Sequence, residues 1–179
     1  MPHKVTLDHN CIIHLDNHTP IGRKLAAIVQ DVQYECFVVN IGASEMLEKG
    51  VRPDRFDKFE ELLQSAAIAH LPRITPMMIW DVTFWDRGFW ASDELIKLSE
   101  TIRAVLFGAS PLIDLAIVGR DTPAGRKWVN QACDVETMRS HIGNGNDIFL
   151  TADRNFTKAT KLPKLLALGA GRVCHPSEL

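Results

Sequence analysis

The sequence predicts an α/β fold in which a central parallel sheet carries helices on both faces. Three observations lead to this prediction. Short apolar segments alternate with longer segments whose apolar residues have helical spacing. The short segments lack the polar residue at every second position that a half-exposed strand shows. The 179 residues suit one core, and no repeat or linker divides them, so we expect a single domain over 1–179.

In the first half of the chain, strands and helices are predicted in alternation. Thr19 and Pro20 are a typical helix start, because the threonine oxygen can accept a free N–H group of the first turn and proline fits the first helical position. Gly50 is a typical helix end. The predicted elements are strands at 4–8, 36–39 and 67–71, and helices at 20–32, 41–49 and 53–66.

The second half begins with a segment for which no element is predicted. This segment, 72–90, is rich in proline and tryptophan. Ser92 is a suitable cap for the helix that follows, and Thr122 with Pro123 forms a second typical helix start. The predicted elements are helices at 92–107, 122–142 and 162–168, and strands at 147–151 and 172–174.

The composition is that of an ordinary soluble domain, with 46% hydrophobic and 23% charged residues, which argues against a long disordered region. No apolar run approaches the ~18 residues of a membrane span, and the chain start does not read as a signal peptide, so we expect a cytoplasmic protein without a membrane partner. The net charge of −2 gives no global signal for nucleic acid. The four cysteines form no C-x-x-C pair and are expected to be buried thiols.

Four acidic residues stand at the end of a predicted strand or on a helix that can overhang such an end: Asp8, Glu45, Asp134 and Asp153. Each alone also fits a structural role, as a turn residue, a helix-start residue or half of an ion pair. Because the carboxyl ends of parallel strands share one edge of the sheet, we expect the four to meet. Two like charges about 4 Å apart repel by roughly 4 kcal/mol, so such a group requires a counter-charge. A divalent cation with oxygen ligands is the usual one.

The segments around these acids resemble the PIN-domain family. LDHNCII at 7–13 is similar to the family's apolar-D-x-N-apolar strand end, and SEML at 44–47 to its second acidic signal. Asp134 stands 19 residues before Asp153, as in the family's late block, where an acidic helix is followed by a strand ending in T-x-D. The closing GRVCHPSEL at 171–179 resembles the family's last strand and its P-x-E ending.

The resemblance implies a three-layer α/β/α PIN-like fold and a metal-dependent endoribonuclease that hydrolyses phosphodiester bonds in single-stranded RNA. It further implies that the protein is the toxin of a toxin–antitoxin pair, with an antitoxin or a second copy of the chain as protein partner. The implied cofactor is Mg²⁺ or Mn²⁺. The implied roles are direct metal ligands for Asp8 and Asp153, a second ion or an oriented water for Glu45 and Asp134, and support of these ligands for Asn10 and Thr151.

The resemblance covers 4–50 and 130–179 well and 51–75 loosely. It fails across about 76–130, which we call the insertion segment and expect to be helical and aromatic. The extra length leaves Asp114 and Asp121 as alternatives for the third acid, although the spacing to Asp153 favours Asp134.

Basic residues are concentrated late in the chain, near the third and fourth acids. Arg139, Arg154 and Lys158 are predicted to contact RNA, with an ordinary solvated surface as the alternative. His141 is expected at the surface, and His9 is expected to be structural because magnesium sites prefer oxygen. The basic residues concerned are Arg126, Lys127, Arg139, Arg154, Lys158, Lys161 and Lys164.

Aromatic residues are dense in the insertion segment, where Trp80, Trp85 and Trp90 alternate with Phe84 and Phe89. We expect them to fill a small core under this segment. A contact with an antitoxin or a second copy and the stacking of unpaired bases are the alternatives.

Two other functions remain open at this point. A non-catalytic PIN-like module that binds RNA or protein is favoured by the net charge and by Asn155, which stands where a further acid is common in the family. A phospho-accepting receiver domain fits poorly, because the neighbours of Asp8 are Leu7 and His9 rather than a second acid.

Overall fold

The computed structural model describes residues 1–46, 49–51, 55–84, 86–109 and 112–179. These residues form the predicted α/β fold, with a central sheet whose five strands are all parallel. The order across the sheet is β3-β2-β1-β4-β5. The strands are β1 (His3–Leu7), β2 (Tyr34–Val39), β3 (Arg73–Ile74), β4 (Ile148–Leu150) and β5 (Arg172–Cys174).

Helices flank the sheet. Two of them begin as predicted: Thr19 and Thr122 cap helices that have proline at the first position, and each threonine oxygen accepts a hydrogen bond from a backbone N–H three residues later. The α-helices are α1 (His9–Asp16), α2 (Pro20–Gln30), α3 (Asp57–Ser65), α4 (Asp93–Phe107), α5 (Leu115–Val118), α6 (Pro123–Gly143) and α7 (Leu162–Ala167), with 3₁₀ helices at Asn40–Glu45 and Pro176–Glu178.

Both faces of the sheet are covered, as β1 shows. Val5 and Leu7 pack into the core that includes residues of α1, α2 and α3. Thr6 points the other way, where its hydroxyl lies 2.9 Å from Nδ1 of His141 on α6. His141 is fully buried, and its Nε2 lies 2.8 Å from the carbonyl oxygen of Ala170, so the expectation of a surface histidine was wrong.

Two element predictions need correction. The helix expected over 41–49 is a 3₁₀ helix at Asn40–Glu45, and residues 47–48 lie outside the described part of the chain. The strand expected at 67–71 is a turn in which Ala67 has φ +57°, a conformation that no strand contains. Ile68 and Leu71 are buried although the segment is not extended, which explains the resemblance to a strand. The third strand follows at Arg73–Ile74.

The insertion segment contributes to the core through α4. Ile102 and Leu106 are buried against Phe149 of the sheet and Met138 of α6. This helix is therefore a part of the layer that covers the sheet.

The aromatic residues of the insertion segment do not share a separate core. Phe84 joins the main core, whereas Trp80 is 64% and Trp90 is 72% exposed. The two exposed rings contact each other edge to face with centroids 6.2 Å apart. Trp85 lies outside the described residues.

All four cysteines are buried free thiols, as predicted. Across the described residues, every helix is too short or too polar to cross a membrane.

Candidate metal centre

The strand order brings the predicted acids to one edge of the sheet. The chain passes from β1 to β2 and β3 on one side and later to β4 and β5 on the other, so the order reverses beside β1. Ligands of such sheets bind beyond the carboxyl ends of the strands at this point. Asp8 follows β1, Glu45 ends the 3₁₀ helix after β2, and Asp153 follows β4, while Asp134 lies on α6.

Asp8 is fully buried and caps α1. One carboxylate oxygen accepts a hydrogen bond from the backbone N–H of His9 at 2.8 Å. The other accepts from Nδ2 of Asn10 at 2.5 Å and from the hydroxyl of Thr151 at 2.6 Å. Asn10 also accepts from the backbone N–H of Ala152 at 2.8 Å, which joins the ends of β1 and β4. Asn10 and Thr151 therefore hold the carboxylate of Asp8 in one orientation.

His9 lies between two of the acids. Its Nδ1 is 3.0 Å from Oδ1 of Asp8 and 2.6 Å from Oε2 of Glu45. Burial alone would lower the pKa of His9, but the charges of Glu45 and Asp8 outweigh it and raise this pKa well above its usual value. His9 is therefore a cation at neutral pH and supplies part of the counter-charge. The sequence offered no signal for this role beyond its position next to Asp8.

Glu45 is buried, and one of its carboxylate oxygens has no partner. Its side chain is 3% exposed, and its Oε2 lies 2.6 Å from Nδ1 of His9. Within the described residues its Oε1 has no hydrogen-bond partner. Burial raises the pKa of Glu45, and the charges of Asp8 and Asp153 add to this effect while that of His9 opposes it. A buried oxygen without a partner is costly and points to a missing ligand.

Asp134 completes the group from the helix side. One ligand atom each from Asp8, His9 and Asp134 lie within 4.8 Å of one another. Burial, followed by repulsion from Glu45 and Asp8, raises the pKa of Asp134 to about 9. For Asp8 burial acts in the same direction, but the charge and hydrogen bonds of His9 and the hydrogen bond of Thr151 leave its pKa below the usual value. The cluster therefore carries more acid groups than its own cation can balance.

Asp153 lies at the rim of this group. Its Oδ1 accepts a hydrogen bond from the backbone N–H of Asn155 at 2.8 Å, so Asn155 supports the turn. Together with Glu45 and Asp134 it lines a cavity of about 320 Å³, and its charge contributes to the raised pKa of both.

Asp8, His9 and Asp134 form a group that could hold a metal ion. Two carboxylates and an imidazole are ligand types that divalent cations accept. A bound dication would offset the repulsion that helps to raise the pKa of Asp134.

The alternatives for the third acid lie elsewhere. Asp114 caps α5, where its carboxylate accepts from the backbone N–H of Ala116 at 2.9 Å. Asp121 lines a neighbouring cavity of about 570 Å³ together with Glu45 and Arg126. Asp134 is the one that shares the group with Asp8.

The three predicted RNA contacts differ in position. Arg139 is 2% exposed and forms a buried ion pair with Glu136 on α6, so it is not available at the surface and that prediction is corrected. Arg154 and Lys158 are exposed and line a cleft of about 750 Å³ that also contains Asp153.

No protein-family model, no curated protein and no solved structure matches this chain. Its function is therefore inferred from the chemistry of the site.

Proposed function

We propose that the protein is a metal-dependent endoribonuclease with a PIN-like active site, which hydrolyses phosphodiester bonds in single-stranded RNA. The observation that carries the proposal is the group at the reversal point of the sheet, in which Asp8, His9 and Asp134 each offer a ligand atom within 4.8 Å of the others and the buried Oε1 of Glu45 has no hydrogen-bond partner. An acid cluster built only for stability would be expected to pair its charges.

The residues have separate roles in this proposal. Asp8 and Asp134 hold the cation from opposite sides, since they come from the end of β1 and from α6. Glu45 and Asp153 provide further oxygens for the ion or for an attacking water. Asn10 and Thr151 keep the carboxylate of Asp8 in one orientation through short hydrogen bonds. When bound, the ion would lower the pKa of a water and offset charge on the phosphate.

Cationic side chains around the acids support a phosphate-bearing strand as the substrate, and the choice of single-stranded RNA rests on the family resemblance. Arg154 and Lys158 lie on one side of the site, in the cleft that contains Asp153, and Arg126 lines the cavity on the side of Glu45. Cationic side chains on both sides can bind phosphates that precede and follow the scissile bond. Such a path suits internal cleavage of a flexible strand. The toxin role, with an antitoxin or a second copy as partner, rests on the family resemblance alone.

Cleavage of a fluorescent single-stranded RNA in the presence of Mn²⁺ tests the proposal. The wild type is expected to cut the RNA internally and to stop when EDTA is added, and Asp8→Asn is expected to reduce the rate by at least about 10³-fold. Asp114→Asn is the matched control, because it removes an acid outside the group while asparagine retains the helix cap. Equal rates for Asp8→Asn and the wild type would refute the assignment.

A second candidate is a non-catalytic PIN-like module that binds RNA or protein. The position of His9 favours it, because a protonated imidazole between Asp8 and Glu45 supplies a counter-charge without any metal. The melting temperature separates the two functions. A metal centre requires that Mg²⁺ or Mn²⁺ raise it in the wild type, whereas a module stabilised by His9 alone should melt at the same temperature with and without the ion.

A further inference from the structure

The insertion segment forms hydrogen bonds with Ser44, which directly precedes Glu45. The hydroxyl of Ser44 donates to the carbonyl oxygen of Val82 at 2.6 Å. The carbonyl oxygen of Ser44 accepts a hydrogen bond from Nη2 of Arg120 at 2.9 Å. Ser44 is 1% exposed, and the bond to Val82 is buried, whereas the bond to Arg120 is partly buried. Val82 and Arg120 belong to the insertion segment, for which the sequence predicts no function.

Arg120 is positioned as a bridge between two backbone groups. While Nη2 donates to Ser44, Nη1 donates to the carbonyl oxygen of Asp81 at 2.6 Å. Among the described residues, no carboxylate lies within ion-pair distance of this guanidinium, and its buried Nε has no hydrogen-bond partner. The partly buried cation therefore binds carbonyl oxygens only. A planar guanidinium can donate to two carbonyl oxygens from two separate nitrogens, whereas a lysine side chain has a single donor nitrogen.

Glu45 needs such a support. Its carboxylate is buried near His9, whose charge attracts it, and near Asp8 and Asp153, whose charges repel it. The 3₁₀ helix that carries it has no side-chain cap at its start. The repulsion from Asp8 and Asp153 acts to push the turn outwards. The bonds from Arg120 and Val82 to Ser44 oppose this movement.

We propose that Arg120 is a positioning residue, which holds the turn of Glu45 in the acidic group by way of Ser44. The insertion segment is then a support of the metal centre. The inference rests on the proposed function for its effect on metal binding, whereas the support of the turn itself is tested without any metal.

Whether the removal of Arg120 weakens or tightens metal binding distinguishes a positioning role from a purely electrostatic one. Arg120 is a positive charge close to a site for a cation. If it acted by charge alone, its removal would tighten Mn²⁺ binding. If it positions Glu45, its removal weakens binding, because supports of metal ligands typically contribute 10–100-fold to affinity.

The first experiment measures the Kd of Mn²⁺ by calorimetry for the wild type, Arg120→Ala and Arg120→Lys. We expect both variants to bind about ten-fold more weakly. Arg120→Lys keeps the charge and loses the bridge, so its loss of affinity isolates the geometry. An unchanged or tighter Kd in Arg120→Ala would overturn the inference. Lys97→Ala, an exposed lysine of the same segment, controls for the loss of one positive charge.

The second experiment measures hydrogen–deuterium exchange of the peptide spanning 40–46 in the metal-free protein. Arg120→Ala is expected to accelerate exchange in this peptide about ten-fold or more, with β1 and β4 unchanged and with no effect in Lys97→Ala. Unaltered exchange in Arg120→Ala would refute the support of the turn even if the wild type binds Mn²⁺. Faster exchange in a protein that binds no Mn²⁺ would refute the proposed function and leave the support of the turn in place.

Discussion

Two acids on helix α6 stand two residues apart and have opposite surroundings. Glu136 is fully buried and bonded on all sides: Arg139 donates from Nε and Nη2 at 2.5–3.1 Å, and the backbone N–H of Met77 donates at 2.7 Å. Asp134 faces Glu45, Asp8 and Asp153 and has a pKa raised to about 9. Burial raises the pKa of Glu136 as well, but Arg139, Met77 and Ser140 oppose this effect. The same helix therefore carries one acid with a cationic partner and several hydrogen bonds, and one acid whose neighbours are mostly other acids.

The difference separates structural from functional acids. A paired, hydrogen-bonded carboxylate such as Glu136 links α6 to the insertion segment through Met77 and needs nothing further. An acid surrounded by other acids costs stability in the metal-free protein, and folds retain such strain where a ligand relieves it. The comparison makes opposite predictions for the removal of charge at the two positions.

The largest effect is expected at the balanced acid. Arg139→Ala should lower the free energy of unfolding by about 3–5 kcal/mol, because it leaves the carboxylate of Glu136 buried without its cation. Urea unfolding followed by circular dichroism measures this loss. The double variant Glu136→Gln, Arg139→Met should recover more than half of it, since the glutamine can still accept from Met77. A loss below about 1 kcal/mol in Arg139→Ala would break the comparison.

The unbalanced acid should respond in the opposite direction. Asp134→Asn is expected to stabilise the metal-free protein by on the order of 2 kcal/mol at pH 7, because the wild type must either protonate Asp134 or tolerate its repulsion by Glu45 and Asp8. Urea unfolding in EDTA measures this gain, and Asp114→Asn should leave stability unchanged. Saturating Mg²⁺ should stabilise the wild type and have little effect on Asp134→Asn.

The stability gained in Asp134→Asn should change with pH in one direction. The pKa of Asp134 is raised in the folded state, so the folded protein binds this proton more tightly than the unfolded chain does. The associated stability is present below about pH 4 and is lost as the pH rises towards about 9. The advantage of Asp134→Asn should therefore grow over this range. An advantage that shrank with pH would show that Glu45, Asp8 and Asp153 do not repel this carboxylate.

Local patterns were sufficient to predict the sheet edge and its acids. Asp8, Glu45 and Asp153 each follow a short apolar strand, and parallel strands place such positions together whatever the details of packing. The helix starts at Thr19 and Thr122 were equally local, since each depends on one cap and one proline.

The predicted surface positions of Arg139 and His141 on α6 were wrong because this helix is covered on two sides, by the sheet and by α4. A helix covered in this way has no polar face that periodicity can identify. Arg139 and His141 look like surface residues in the sequence, but both are buried. Arg139 is bonded to Glu136 on the same helix, and His141 lies within hydrogen-bond distance of Thr6 on β1. The role of His9 was missed for a related reason: its contact with Glu45 depends on the order of the strands, which no local pattern encodes.

The smallest effect is expected for a substitution of His9, which tests how far this residue balances the charge of the acids. Since it is the cation that partly balances Asp8 and Glu45, it competes with a metal for the same oxygens. His9→Asn should therefore tighten Mg²⁺ binding about ten-fold at pH 7, or about 1.4 kcal/mol. In the wild type the affinity should rise with pH as the imidazolium loses its proton, and in His9→Asn this rise should be smaller. Calorimetry between pH 6 and 9 measures both, with the exposed His70→Asn as control. Weaker binding in His9→Asn would instead identify the imidazole as a metal ligand. His9 would then belong with the acids that bind the metal and would not be the cation that balances their charge.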